Sequence, residues 1–335
     1  MRGLAAIPLT LAALWVASAA SAGTQPRSEI LWGAYVGGGQ YGLADAPWDM
    51  RSANAFERNT GKRMSLLEWG QAWVECSDSC GWRPFRTGLF RRAHARGYLP
   101  VLSWGSYQEQ RGANQPRFRL AEIASGRYDP FIRRWARGAA RWGHPFFLRF
   151  DWEMNTNRVP YSEHSNRNRR GDFVRAWRHV HGIFRAAGAT NVMWTWCPNV
   201  QYPGSVKPLS SLYPGDAYVD WTCLDGYNWG TDPARPGRWM SFDEVFRETY
   251  GLVSTWIAPS KPMMIGEMGS TEHGGSKAEW IWDALAVQVP LRYPAVRAVV
   301  WFNKAWDGVG WPIESSEAAR AAFAGAISSP VYVSR

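Results

Sequence analysis

The stretch FFLRFDWEMN, residues 146–155, is apolar almost throughout until it reaches Glu153. A second segment, MMIGEMGS at residues 263–270, runs the same way into Glu267. An unpaired charge at the end of a buried apolar run is strongly disfavoured, so each carboxylate must serve a purpose at the exit of its strand. Working outward, similar runs bounded by turn residues recur at 30–36, 64–69, 99–104, 192–197, 219–227 and 298–302, with the two glutamate strands spanning 146–152 and 262–267. Near-continuous apolar character fits strands buried on both faces, as in a parallel sheet covered by helices.

Helical spacing fills the intervals at 85–96, 130–142, 172–187, 242–257 and 276–289. Gly97, Gly143 and Gly188 sit where helix C-terminal caps belong. Eight strand-helix units in one α/β chain predict a single (β/α)8 TIM barrel over residues 28–330. A doubly wound sheet is the alternative, but no glycine-rich phosphate loop follows the first strand: Gly37-Gly38-Gly39 lacks the dinucleotide spacing and no Walker motif occurs. The segments 156–170 and 198–218, after strands 4 and 5, read as long loops on the face where barrel enzymes carry their sites.

Residues 1–22 combine an early Arg2, an apolar stretch and a small-residue end at Ala20-Ser21-Ala22, the pattern of a cleaved signal peptide. A secreted or periplasmic protein is therefore expected, with no stable membrane insertion. In that setting the 4 cysteines are expected to pair. A local Cys76–Cys80 bridge leaves Cys197 with Cys223, although four cysteines allow three pairings. No cluster has zinc spacing, so neither metal nor cofactor is expected. The formal net charge of +10 falls mainly on helical faces, and no nucleic-acid module is present. The 22 tryptophans exceed what one core needs, and Trp104, Trp152, Trp229 and Trp301 stand near strand ends where indole faces can cover sugar rings.

Glu153 ends strand 4, Tyr227 ends strand 6, Glu267 ends strand 7 and Trp301 lies in strand 8, so the barrel brings them to one mouth. Two carboxylates facing each other across about 5–5.5 Å are the machinery of retaining glycoside hydrolysis. The run GRYDPFIRRWARGAARWGHPFFLRFDWEMN, the segment IGEMGS with Lys277 and Trp280 beyond it, and LDGYNW together resemble glycoside hydrolase family 26, the β-mannanase family. That resemblance implies Glu153 as general acid/base, Glu267 as nucleophile, Tyr227 as the nucleophile's hydrogen-bond donor, Arg149 beneath the site and Trp301 as the floor of the sugar before the cleaved bond. Asn155 is a candidate for the substrate's 2-hydroxyl. The implied substrate is a β-linked polysaccharide cut internally by a monomeric enzyme: foremost β-1,4-mannan, with mixed-linkage β-glucan, β-1,3-xylan and exopolysaccharide as alternatives. The chain departs from the family pattern at Trp152, where the family usually has His, and at Thr156, Asn157 and Arg158, where it often has Gly and aromatic residues. A non-catalytic polysaccharide-binding barrel is the competing class, which would have no need to keep both glutamates.

Overall fold

The computed structural model describes residues 29–76, 79–233, 237–306 and 308–335; the expected signal peptide lies outside them. Eight parallel strands close on themselves: β1 (Ile30–Val36), β2 (Leu66–Cys76), β3 (Leu99–Gln108), β4 (Phe146–Phe150), β5 (Val192–Trp196), β6 (Trp221–Asn228), β7 (Met263–Ser270) and β8 (Val296–Asn303). Closure falls at β1, which pairs with β8 through Trp32 and Val299 and with β2 through Ala34 and Leu67. The chain is a (β/α)8 TIM barrel. Two short strands extend the sheet: Cys80–Trp82 turns back antiparallel on the end of β2, and Tyr332–Val333 lies parallel to β1. The Cys76–Cys80 disulfide closes the first of these, and Cys197–Cys223 ties the end of β5 to β6.

The outer layer consists of α1 (Met50–Thr60), α2 (Thr87–His94), α3 (Leu120–Ala124), α4 (Asp129–Trp142), α5 (Asp172–Ala186), α6 (Phe242–Leu252), α7 (Lys277–Trp282), α8 (Val289–Arg292) and α9 (Glu317–Ile327). The sequence pattern of α4 shows how these helices dock. Phe131, Ile132, Trp135, Ala136 and Ala139 are buried at the three-to-four spacing of one helix face, and Gly143 ends the helix at φ 73° as a left-handed cap. The expected helix 242–257 is α6 continued by a π-helical segment, Val253–Ile257. Between β5 and β6 there is no α-helix, only short 3₁₀ turns at Leu209–Leu212 and Asp216–Tyr218. No described helix is long and apolar enough to cross a membrane.

Side chains of the strands alternate between two cores. Trp32, Trp69, Trp73, Trp104, Trp135 and Trp177 fill the layer between strands and helices. Leu66, Val101, Phe147, Met264 and Val300 plug the barrel interior. On β4 the alternation sends Phe146, Leu148 and Phe150 outward and Phe147 inward, and Arg149 follows as the next inward residue.

Candidate active site

Strand β4 ends at Phe150, and the chain then takes two unusual conformations. Asp151 has φ 48° and Glu153 φ 54°, in the left-handed region that costs a residue other than glycine on the order of 1–3 kcal/mol. Neighbouring strands hold them there. Asp151 N donates to Trp104 O at 3.0 Å and Glu153 N to Cys197 O at 2.7 Å. The Asp151 carboxylate accepts from Ser106 N at 2.7 Å and Ser106 Oγ at 2.8 Å. Burial pushes Asp151 up to about 8, against these two bonds. The result is a backbone turned so that Glu153 enters a cavity of about 860 Å³, which Glu267 also lines.

The two carboxylates sit in unlike surroundings. Glu153 Oε1 accepts from Asn199 Nδ2 at 2.6 Å. Burial, and then the charge of Glu267, push Glu153 up to about 7, while Asn199, Arg149 and Arg158 pull the other way. Glu267 Oε2 accepts from Tyr227 OH at 2.5 Å, and its Oε1 meets Arg149 Nη1 at 3.1 Å. Burial, followed by the Glu267 charge, raises Tyr227 well above the ordinary phenol range, so the phenol remains a donor.

Beneath them Arg149 is fully buried and also bonds Glu68 and Asp225. Burial pushes the Asp225 carboxyl well above its usual range, with Arg149 acting against it. Gly266 makes room for this layer: a Cβ there would lie 2.3 Å from Cys223 Sγ, 2.8 Å from Asp225 Oδ1 and 3.2 Å from Arg149 Cζ. Among the described residues, one group of potential metal ligands converges here, Cys197, Cys223 and Asp225. Both of its sulfurs are consumed by the disulfide.

Of the residues singled out from sequence, Glu153, Glu267, Tyr227, Trp152 and Trp229 line the cavity, and Arg149 supports it from below. Trp301 does not line it. Only 1% exposed, it points into the helix layer against Phe323 and Trp280, and its Nε1 donates to Trp311 O at 3.2 Å. Because strand side chains alternate, its neighbour Phe302 enters the cavity instead, and an indole near Tyr227 is Trp311, 4.8 Å from both Tyr227 and Trp229 between ring centroids. Trp104 is likewise in the outer layer, stacked on Trp135 with 4.4 Å between centroids. Asn155 is buried and acts on Asn199, donating to its carbonyl at 2.8 Å and accepting from its N–H at 2.9 Å. It thereby orients the amide that bonds Glu153.

Sequence reasoning missed Asn199, Tyr35, Phe302 and Trp311. Trp311 belongs to a loop fixed from beneath by Lys277, whose buried Nζ donates to Gly310 O, Trp311 O, Pro312 O and Ser315 Oγ at 2.8–3.1 Å. Burial pushes this ammonium down to about 8. No periodicity marks a loop aromatic of this kind; the apolar pair Trp311-Pro312 beside Gly310 was the available cue.

No protein-family model matches the chain. Endoglucanase H of Acetivibrio thermocellus is 33% identical over 282 residues, covering 82% of this chain and 29% of that protein. A β-1,3-xylanase from a Vibrio species is 27% identical over 106 residues, covering 31% of this chain and 22% of that protein. The chain thus spans less than a third of the length of either curated relative. Among solved structures, a mannanase from Bacillus subtilis superposes with TM-score 0.62 at 18% identity, covering 90% of this chain and 87% of that one. A family 26 β-mannanase from Bacteroides ovatus gives TM-score 0.61 at 16% identity, with 92% and 90% covered. These likenesses establish the fold, a barrel of the form found in family 26 mannanase structures.

Proposed function

We propose that the chain is a secreted retaining endo-β-glycanase of glycoside hydrolase family 26. The observation that carries this reading is the contrast between the two carboxylates of one cavity. Glu153, pushed up to about 7, is suited to hold a proton for the departing glycosidic oxygen. Glu267, bonded by Tyr227 and Arg149, is suited to stay ionised and attack the anomeric carbon. Attack forms the Glu267–sugar ester and breaks the glycosidic bond as Glu153 gives up its proton. With Glu267 esterified its charge is gone, the pKa of Glu153 falls, and Glu153 takes a proton from the water that releases the sugar.

The substrate is a β-linked polysaccharide, and we place β-glucan ahead of mannan. Endoglucanase H is 33% identical to this chain, whereas the mannanase structures are 16–18% identical. Trp152 also stands where the β-mannanase pattern has His. Mannan is the second reading, supported by the family resemblance. Incubation with lichenan, glucomannan, mannan and β-1,3-xylan, followed by proton NMR of the first products, tests both levels. The expected result is fastest release of oligosaccharides from a β-glucan, with the β-anomer formed first. Initial α-anomer defeats the retaining mechanism, and release of monomer or dimer alone defeats endo action.

A further inference from the structure

Two hydroxyls of residues lining this cavity are shielded from solvent and yet have no partner within the protein. Thr156 Oγ1 and Tyr202 OH are both shielded and unbonded, and both residues line the cavity that holds Glu153. Thr156 is only 4% exposed. A buried hydroxyl left unpaired is unfavourable, so such groups are kept where something else bonds them.

Both are held in place by the surrounding chain. Thr156 N donates to Glu153 O at 2.9 Å, and Val206 N donates to Asn155 O at 2.8 Å, which docks the loop after β5 onto the loop after β4. Tyr202 begins a turn fastened by Ser205 Oγ, which donates to Tyr202 O at 2.9 Å. Gln201 N donates to Thr249 Oγ1 at 2.9 Å, which anchors the same turn to α6. Arg158, exposed on the first loop, faces the same cavity and its charge acts on Glu153.

A general acid protonates the oxygen that leaves with the departing sugar, so that sugar must lie against the acid's own loop. The cavity is unequal in this respect. The walls from β1 and β8 carry Tyr35, Phe302 and Trp311, whereas the loops after β4 and β5 set the hydroxyls of Thr156 and Tyr202 and the charge of Arg158 beside Trp152. We infer that Thr156, Tyr202 and Arg158 form the subsite for the departing sugar and hold a neutral pyranose through its hydroxyls. This inference rests on the retaining-glycanase reading.

Thr156→Val, Tyr202→Phe and the double variant test it, each assayed on the polysaccharide and on an aryl β-glycoside of the same glycosyl unit, whose leaving group has no sugar hydroxyls. Each single change is expected to lower the ratio of polysaccharide to aryl-glycoside kcat/KM by about fivefold, the two multiplying in the double variant. Transfer of the glycosyl group to added sugar acceptors should fall in parallel. Thr156→Val keeps the side chain's shape, so its unfolding temperature separates a binding loss from misfolding. If the ratio stays constant in every variant, whether because both substrates decline together or because neither declines, the subsite assignment is wrong. A wild-type protein that cleaves neither substrate refutes the glycanase reading beneath it.

Discussion

The exits of β4 and β7 carry the same side chain and treat it in opposite ways. At β4 the backbone leaves the strand region, Glu153 sits at φ 54°, and the carboxylate meets one neutral amide. At β7 the extended strand runs on through Glu267 to Ser270, with its register slipping around Gly266 against both β6 and β8, and the carboxylate meets a phenol and a guanidinium. In the proposed mechanism, a left-handed turn past the end of β4 aims the group that must change its protonation, while extended strand over a buried cation steadies the one that must stay charged. One scaffold thus sets two identical carboxyl groups apart through their neighbours.

The sharpest way to break this comparison is to remove each carboxylate in turn. Glu267→Ala should cost about 10⁴-fold or more in kcat, and Glu153→Ala about 10²–10⁴-fold on unactivated substrates. Azide should restore turnover to the first with inverted product, and to the second only with an activated leaving group and with retention, as judged by NMR of the glycosyl azide. Undiminished hydrolysis by either variant would abolish the assignment.

Arg149→Met next tests the buried cation beneath β7. It leaves Glu68, Asp225 and Glu267 without their shared partner, and denaturant unfolding should register a loss of about 3–5 kcal/mol. Tyr227→Phe removes one bond to a charged acceptor, so kcat should fall roughly 10–100-fold with the fold intact; an equal fall in kcat/KM, with KM steady, would mark a bond used in the transition state.

The smallest effect concerns pH. The acid must be protonated to act, so activity should be present below the pKa of Glu153 and be lost as pH rises through about 7. The Asn199 bond favours the ionised form, so Asn199→Ala should move the alkaline limb of the kcat/KM profile upward. A downward movement contradicts the role given to that amide.

The barrel was legible because each buried strand announces itself as an apolar run, and the run at 30–36 coincides with β1. Strand lengths were less so. β2 was expected at 64–69 yet extends to Cys76, because the disulfide hairpin supplies pairing that no apolar pattern encodes. Three helices, α1, α3 and α9, were not anticipated; α3 has only 5 residues, too short for periodicity to register, and α9 is built largely of alanine. At the site, the glutamates stood out because charge on an apolar run is costly. Trp301 misled for the converse reason: VRAVVWFN is apolar on both faces near its end, so nothing in it says which of Trp301 and Phe302 turns inward. The tryptophan excess is mainly structural, since nine of the largest fully buried side chains are tryptophans. Thr156 and Arg158 were visible only as departures from a family pattern, and Asn199 sits in a loop whose course depends on contacts distant in sequence.

Gly266 carries a consequence for how such a protein can change over generations. Any side chain at that position collides with the disulfide, Asp225 and Arg149 together, so the stratum under β7 tolerates almost no experiment. The loop after β5 is stitched to that stratum by the Cys197–Cys223 disulfide and by Pro198 and Val200, which bond the backbone of Asp225, whereas Thr156 and Tyr202 make no such bond to it. In the proposed glycanase, variation there can retune which polymer is accepted while the bond-breaking apparatus below is inherited intact, a division that makes the scaffold evolvable in substrate and conservative in chemistry.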